Sequence, residues 1–488
     1  MPLLTLAAVC LSALMFGLEI SSVPVILPTL ERVLHADFRQ VQWVMNAYTI
    51  ACTTVLMATG TLADRFGRRR MFAVSTVAFG VTSLACGLVR NTPLLIASRF
   101  LQGMSGGAML ICQIAVLSHQ FQDPMERGRA FGMWGIVFGI GLGFGPIVGG
   151  AIVALASWPW VFLVHVPLAA VNGLAIAHAV TESRDPEART LDTIGIVTLS
   201  LATLCVATYL TQGPDLGFGS PTAWGLITVG VLSAAAFVIA EMRAVRPMFD
   251  FSVFRIRNFS GAIMGSMGMN FSFWPFMIYL PIYFQSGLGY DSVHAGWSLL
   301  AYTLPTVVFP PLGERLSLRY APRFVIPSGL FTIGLGFSFM LLGSRAGHPS
   351  WLTMLPGCLL AGIGLAVTNT PVTNTTTGSV SSTRAGMASG IDMSARLISL
   401  AINIALMGSL LVSGVAMHLA ASLGSGDGRR VHALALSLVA GEAVTSLGSD
   451  PGLAHAALTH GFAIVMLYGA LGAGVLGLAS LWLFGSKQ

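Results

Sequence analysis

The chain has 488 residues, 55% of them hydrophobic and 9% charged, with mean hydropathy +0.79 and a formal net charge of +6. Soluble domains carry about 25% charged residues, so a water-soluble particle of this size is excluded and lipid must be the main solvent. Apolar runs of about 20 residues also exclude the short alternating segments of a β-barrel. The positive charge calls for no nucleic acid, because in a membrane chain it sets orientation.

In chain order the apolar runs predict fourteen spans: 4–28, 43–62, 71–90, 93–117, 129–156, 159–181, 191–212, 221–241, 258–285, 293–313, 323–343, 351–374, 385–415 and 460–484. The first run does not read as a cleaved signal, since it is long, contains Glu19 and leads into further spans. The six cysteines all fall inside spans, so no disulfide framework is expected. An even count puts both termini on one side. With the termini cytoplasmic, 17 basic residues fall in inner loops and 6 in outer loops, and Arg99 and Arg396 lie inside spans. That bias fixes the orientation by the positive-inside rule and makes the segment 416–459 an external loop.

The sequence repeats itself. Trp43-x3-Ala47-Tyr48-Thr49 recurs as Trp297-x3-Ala301-Tyr302-Thr303, and at the same offset of 254 residues Arg65-Phe66 meets Arg319-Tyr320 and Arg69 meets Arg323. Two six-helix halves follow, 1–182 and 258–488, with two extra central helices in the insert 183–257. The expected fold is thus an all-α integral membrane protein of fourteen transmembrane helices.

Ionisable groups inside a bilayer are costly and mark function by default. Of nineteen acidic residues only Glu19 and Asp392 lie well inside spans, with Asp192 and Glu241 at span ends. Glu19 lies about eight residues from the outer end of helix 1 and Arg99 about six past the outer start of helix 4, so their depths match within roughly one turn. The pair is either a static contact that fixes helix packing or a site whose carboxyl takes up and releases a proton as its surroundings change. Asp392 and Arg396 are four apart, hence on one face of helix 13, and can simply neutralise each other. In helix 5 the pattern Gly132-x8-Gly141-x3-Gly145-Pro146-x2-Gly149-Gly150 sets Gly141, Gly145 and Gly149 four apart on one face, which admits a neighbouring helix closely, while Pro146 adds a bend. His165 and His178 in helix 6 can titrate near neutrality, although a lone span histidine is more often a packing residue. Phe273, Trp274, Tyr279 and Tyr283 in helix 9 could line an apolar substrate cavity or face lipid.

Gly60-Thr-Leu-Ala-Asp64-Arg65-Phe-Gly67-Arg68-Arg69-Arg70 resembles the loop signature between helices 2 and 3 of the major facilitator superfamily. Arg99-Phe-Leu-Gln102-Gly103 resembles its helix 4 signature, and the helix 5 glycine pattern resembles its antiporter signature. Leu18-Glu19 through Leu27-Pro28, Trp43-Val44-x2-Ala47-Tyr48 and Gly386-Met-Ala-Ser389-Gly390 point to the 14-helix drug:proton antiporters of that superfamily. The resemblance implies export of hydrophobic or cationic drugs across the cytoplasmic membrane in exchange for protons, by alternating access. It implies proton coupling at Glu19 and Arg99, and a conformational lock at Asp64, Arg65 and Arg68, with Asp64 capping a helix of the opposite half. It also implies a monomer without cofactor, with an accessory periplasmic partner an open alternative. The chain departs from the family pattern in carrying Glu19 where aspartate is common, Pro159 for arginine, His165 for asparagine, and Asp392 for a neutral polar residue. A second acid in the C-terminal half would serve a cationic substrate or a second proton.

Other classes fit less well. The only lysine is Lys487, so no phosphate-binding GxxxxGK[ST] loop exists, and no HExxH metal spacing or nucleophilic set marks an enzyme. A major-facilitator importer or facilitator of a small metabolite is the serious rival, because fold does not fix function.

Overall fold

A computed structural model describes residues 2–34, 38–184, 192–217, 219–243, 249–290, 292–423, 428–439 and 451–485. Among them all regular structure is helical: α1 (Pro2–Leu34), α2 (Phe38–Phe66), α3 (Arg68–Leu88), α4 (Thr92–Gln120), α5 (Pro124–Leu155), α6 (Trp160–Leu163), α7 (His165–Ala179), α8 (Thr193–Leu216), α9 (Pro221–Arg243), α10 (Arg257–Phe271), α11 (Phe273–Ile282), α12 (Ser292–Val308), α13 (Pro310–Tyr320), α14 (Pro322–Ser344), α15 (Trp351–Gly378), α16 (Ala385–Leu423), α17 (Gly428–Val439) and α18 (Pro451–Phe484).

Eleven helical stretches among the described residues are long and apolar enough to cross a membrane. The expected spans 43–62, 258–285 and 293–313 are not among them, for identifiable reasons. α2 is continuous but rich in threonine and ends in Asp64-Arg65. The stretch 258–285 breaks at Ser272, between α10 and α11, in a segment carrying Pro275 and Pro281, and ends in a π-helical turn, Tyr283–Gly287. The stretch 293–313 breaks at Phe309, where Pro310 and Pro311 open α13. Proline lacks the N–H that would continue the hydrogen-bond ladder, so these breaks are local chemistry. The segment 416–459 differs from the expected loop. α16 runs on to Leu423, and α17 forms inside the segment, since its Ala- and Leu-rich composition favours helix; residues 424–427 and 440–450 lie outside the described set.

The chain divides into two compact units. Unit 1 holds Met1–Ser260 with Pro310–Leu318 and Thr373–Ile398. Within it α1 packs along α5, α4 and α7, α2 lies on α4, α3 on α4 and α7, and α8 pairs with α9 and rests on α2. Unit 2 holds Gly261–Phe309, Arg319–Val372 and Ser399–Gln488, and α14 packs along α18 around a core that includes Phe276, Tyr302, Phe337, Met340 and Phe462. The repeat extends to backbone conformation. Gly67, between α2 and α3, has φ +107°, and 254 positions later Ala321, between α13 and α14, has φ +70°. Among the described residues Ala321 alone is a non-glycine with positive φ, a conformation that costs an L-residue of order 1 kcal/mol and is held by the turn it completes.

Candidate functional site

α1, α4 and α7 bring three ionisable side chains together inside unit 1. Arg99 donates from Nη1 to Glu19 Oε1 and, at 2.7 Å, to Gln102 Oε1, and from Nε to the Val44 carbonyl at 3.0 Å. Its guanidinium carbon lies 4.4 Å from the centre of the Tyr48 ring and 5.5 Å from that of Phe162. Gln102 is held in turn by a 2.8 Å bond from its Nε2 to Ser83 Oγ. Glu19 and Arg99 are both 0% exposed. The second oxygen of Glu19, Oε2, lies 3.6 Å from His165 Nδ1. The matched depths read from the sequence thus become a direct contact, with a histidine on the far side of the carboxylate. An isolated buried charge costs far more than a buried pair, so removing either partner strands the other.

The glycine face of α5 is what lets α1 carry this cluster. A Cβ on Gly141 would stand 2.9 Å from the Leu14 carbonyl oxygen, one on Gly145 would overlap Ser21 Oγ, and one on Gly149 would stand 2.9 Å from Ser22 Cβ. Ser21 Oγ bonds both the Gly17 and Gly141 carbonyls, at 2.8 and 2.9 Å, stitching the two helices where their backbones meet. Gly132 lies further along, with Pro311 against it. Pro146 is exposed and Gly150 half-buried, and α5 continues through Pro146 unbroken.

A second cluster in unit 1 gathers at the predicted cytoplasmic end. Asp64 sits in the last turn of α2, where the sequence suggested a loop, because the helix runs on to Phe66. Its Oδ1 accepts from Gly386 N at 3.3 Å and its Oδ2 from Met387 N at 3.1 Å, which caps the start of α16. Arg68 donates to Asp64 Oδ1 from Nε at 3.0 Å and from Nη2 at 2.7 Å, and also reaches the Ser382 carbonyl. Gly60 leaves room for the approach, since a Cβ there would overlap the Gly386 carbonyl oxygen. Arg65 is half-buried with its guanidinium over Phe66. Asp64 lies beyond span 43–62. Burial pushes its carboxyl up to about 6, against the opposing pull of Arg68 and of the two N–H groups.

Unit 1 also holds a group that sequence reasoning missed. Glu314, on α13 just past span 293–313, is 2% exposed. Asn374 Nδ2 donates to its Oε2 at 3.0 Å, while Oε1 has no hydrogen-bond partner. Arg127, at the start of α5, holds Asn374 Oδ1 and, at 2.6 Å, Thr377 Oγ1. Burial pushes the Glu314 carboxyl up to about 8, with Asn374 and then Arg127 pulling the other way. The repeat offset of 254 places Glu314 where the other half has Gly60, an alignment that carries no mark of a buried carboxylate.

Asp392 and Arg396 form the expected one-face pair on α16, 3.2 Å apart, and Thr373 Oγ1 bridges them at 3.2 Å from Asp392 Oδ2 and 2.8 Å from Arg396 Nη2. The helix 9 aromatics sit in the packed core of unit 2. Phe273 stacks on Tyr302 at 4.1 Å, Tyr279 donates to the Ile404 carbonyl, Tyr283 meets Phe462 edge-on at 5.0 Å, and Trp274 packs half-buried at the edge of Phe273.

A sequence model described as the Major Facilitator Superfamily matches residues 9–404. The multidrug resistance protein Stp of Mycobacterium tuberculosis is 31% identical over 411 residues, covering 84% of this chain and 76% of that protein. The tetracenomycin C resistance and export protein of Streptomyces glaucescens is 31% identical over 418 residues, with the same two coverages. Among solved structures, the human organic anion transporter MFSD10 superposes with a TM-score of 0.61 at 14% identity, covering 99% of each chain, and so shares the fold.

Proposed function

Because the chain belongs to the Major Facilitator Superfamily, a family of transporters rather than enzymes, we propose that it is a proton-coupled antiporter that exports hydrophobic or cationic drugs by alternating access. The drug-export part is supported by relatives whose names state resistance and export. The coupling part is carried by one observation: a fully buried carboxylate on α1 in contact with a fully buried arginine on α4.

In this reading Glu19 is the proton carrier and Arg99 its counter-charge. Protonating Glu19 removes half of the ion pair, weakens its hold between α1 and α4, and lets the close α1–α5 seam shift. Releasing the proton restores the pair. Asp64 and Arg68 serve as the cytoplasmic lock, since their contacts to the start of α16 must break when that side opens. Asp392 and Arg396, bridged by Thr373, are a second charged site in the other half. Gly141, Gly145 and Gly149 are the seam on which α1 moves. Fourteen spans are proposed, the eleven apolar helices plus the proline-broken or threonine-rich segments 43–62, 258–285 and 293–313. They are arranged as halves 1–182 and 258–488 around the insert 183–257, with both termini cytoplasmic in the inner membrane. Substrate cavity roles for Phe273, Trp274, Tyr279 and Tyr283 would require their core packing to open.

Ethidium accumulation in cells expressing the protein tests the reading. Accumulation should fall relative to cells lacking it, and an uncoupler should erase the difference. Lower accumulation that persists without a proton gradient would contradict the proposal, and raised accumulation would favour an importer.

A further inference from the structure

His165 occupies a position that the proposed coupling pair does not explain. It opens α7, is 1% exposed, and lies in the site with its ring edge-on to Phe79 at 5.5 Å. Its Nε2 lies 3.1 Å from the Met15 carbonyl oxygen. A carbonyl oxygen only accepts, so Nε2 carries its proton, and this contact fixes the tautomer of the neutral ring. Nδ1 is then a bare lone pair unless the ring is charged. It points at Glu19 Oε2, 3.6 Å away, and neither atom has a hydrogen-bond partner. Two lone-pair atoms facing each other in a site without exposure repel. One proton between them turns the contact into an attraction, whether as imidazolium against carboxylate or imidazole against carboxylic acid.

We propose that His165 is a second proton-coupling residue: Glu19 and His165 share one exchangeable proton on the side of the carboxylate away from Arg99. The inference rests on the antiport reading above and deepens it. The site has a fixed cation on one face and a titratable base on the other. Removing the shared proton leaves Glu19 facing an uncharged ring, held by Arg99 alone. Adding it ties α1 to α7 and loosens α1 from α4. The proton balance closes within the pair: a proton arriving from water binds on the Nδ1–Oε2 axis and leaves from the same place, with Arg99 charged throughout. Titration here answers to the groups that surround it. These are Arg99 and Gln102 on α4, Tyr48 on α2, whose ring lies against the Arg99 guanidinium, and Cys86 on α3, which reaches Gln102. Arg99 is the one fixed charge among these, so the proton's residence is set by the balance between Arg99 and the His165 ring. The helix carrying His165 adds a further tie to α1, since Asn172 Nδ2 donates to Ser12 Oγ at 2.6 Å. The proton therefore chooses which neighbour of α1 is electrostatically engaged, which a carboxylate paired with arginine alone cannot do.

The test reads the ring directly. The full-length protein in detergent, labelled with 15N-histidine, is titrated from pH 5 to 9, and the His165 signals are assigned by their loss in His165→Asn. The proposal expects the wild-type Nδ1 signal to move in one step, and expects Glu19→Gln to lower that midpoint by at least one pH unit, a tenfold loss of proton affinity, or to abolish the step. An Nδ1 signal that stays still across this range in the wild type, or an unchanged midpoint in Glu19→Gln, would overturn it. The wild-type titration needs no variant to fold. The two readings fail separately. A still His165 signal in a protein that extrudes ethidium sinks the shared proton alone, whereas a shared step in a protein that moves no ethidium sinks the antiport reading alone.

Discussion

At the scale of single residues, the molecule buries three carboxylates and surrounds each differently. Glu19 meets an arginine, Asp64 meets an arginine and a helix start, and Glu314 meets a neutral amide. Breaking a buried pair by removing one partner costs about 3–5 kcal/mol, whereas removing both costs much less. Arg99→Gln should therefore lower the thermal stability of the purified protein sharply, and the double variant with Glu19→Gln should recover most of the loss. Glu314 gives a pH prediction with a definite sign. Its folded value of about 8 lies above the 4.5 of an ordinary glutamate, so the folded state disfavours the carboxylate. Stability should be greatest in acid and fall as pH rises from about 4.5 towards 8. In Glu314→Gln that slope should flatten, and at pH 8 the variant should melt higher than the wild type; thermal unfolding across pH 5 to 8.5 checks both. Glu19 and Arg99 were legible in the sequence because a charge stands out against an apolar run. Glu314 was not, since it falls one residue beyond a predicted span, where a charge is ordinary.

At the scale of helices, the contact between α1 and α5 depends on three missing side chains. Overpacking a tight interface costs about 1–3 kcal/mol. Gly145→Val should lower stability and export together, because Ser21 occupies the space the new side chain needs. Gly143→Ala, two residues away with open space around it, should be neutral; melting temperature and ethidium export of the two variants give the comparison. The four-residue glycine spacing carried this face in the sequence, since spacing alone decides which residues share a helix side. Spans 258–285 and 293–313 were read as unbroken because hydropathy averages over a window and does not register where a proline removes a hydrogen-bond donor. Ser272 and Phe309, where the helices part, carry no hydropathic signature. The stretch 428–439 was read as loop because its arginines and histidine lowered its hydropathy, though its Ala and Leu content supports α17.

At the scale of the whole molecule, the repeat and the charge bias carry the plan. The Trp-x3-Ala-Tyr-Thr motif repeats at an offset of 254 residues in the sequence, and the structure adds a positive-φ turn at the same offset, Gly67 and Ala321. The basic residues predict topology. Alkaline phosphatase fused at residue 440 should be active, and fused at residue 186 inactive; the reverse pattern would invert the orientation. Export driven by a proton on Glu19 is tested directly in vesicles. Everted membrane vesicles energised to an acid interior should take up ethidium, and ethidium added to vesicles holding a proton gradient should release protons outward. Glu19→Gln, present in the membrane at wild-type amounts, should lose both signals. Gradient-driven ethidium uptake at an undiminished rate in that variant would contradict it.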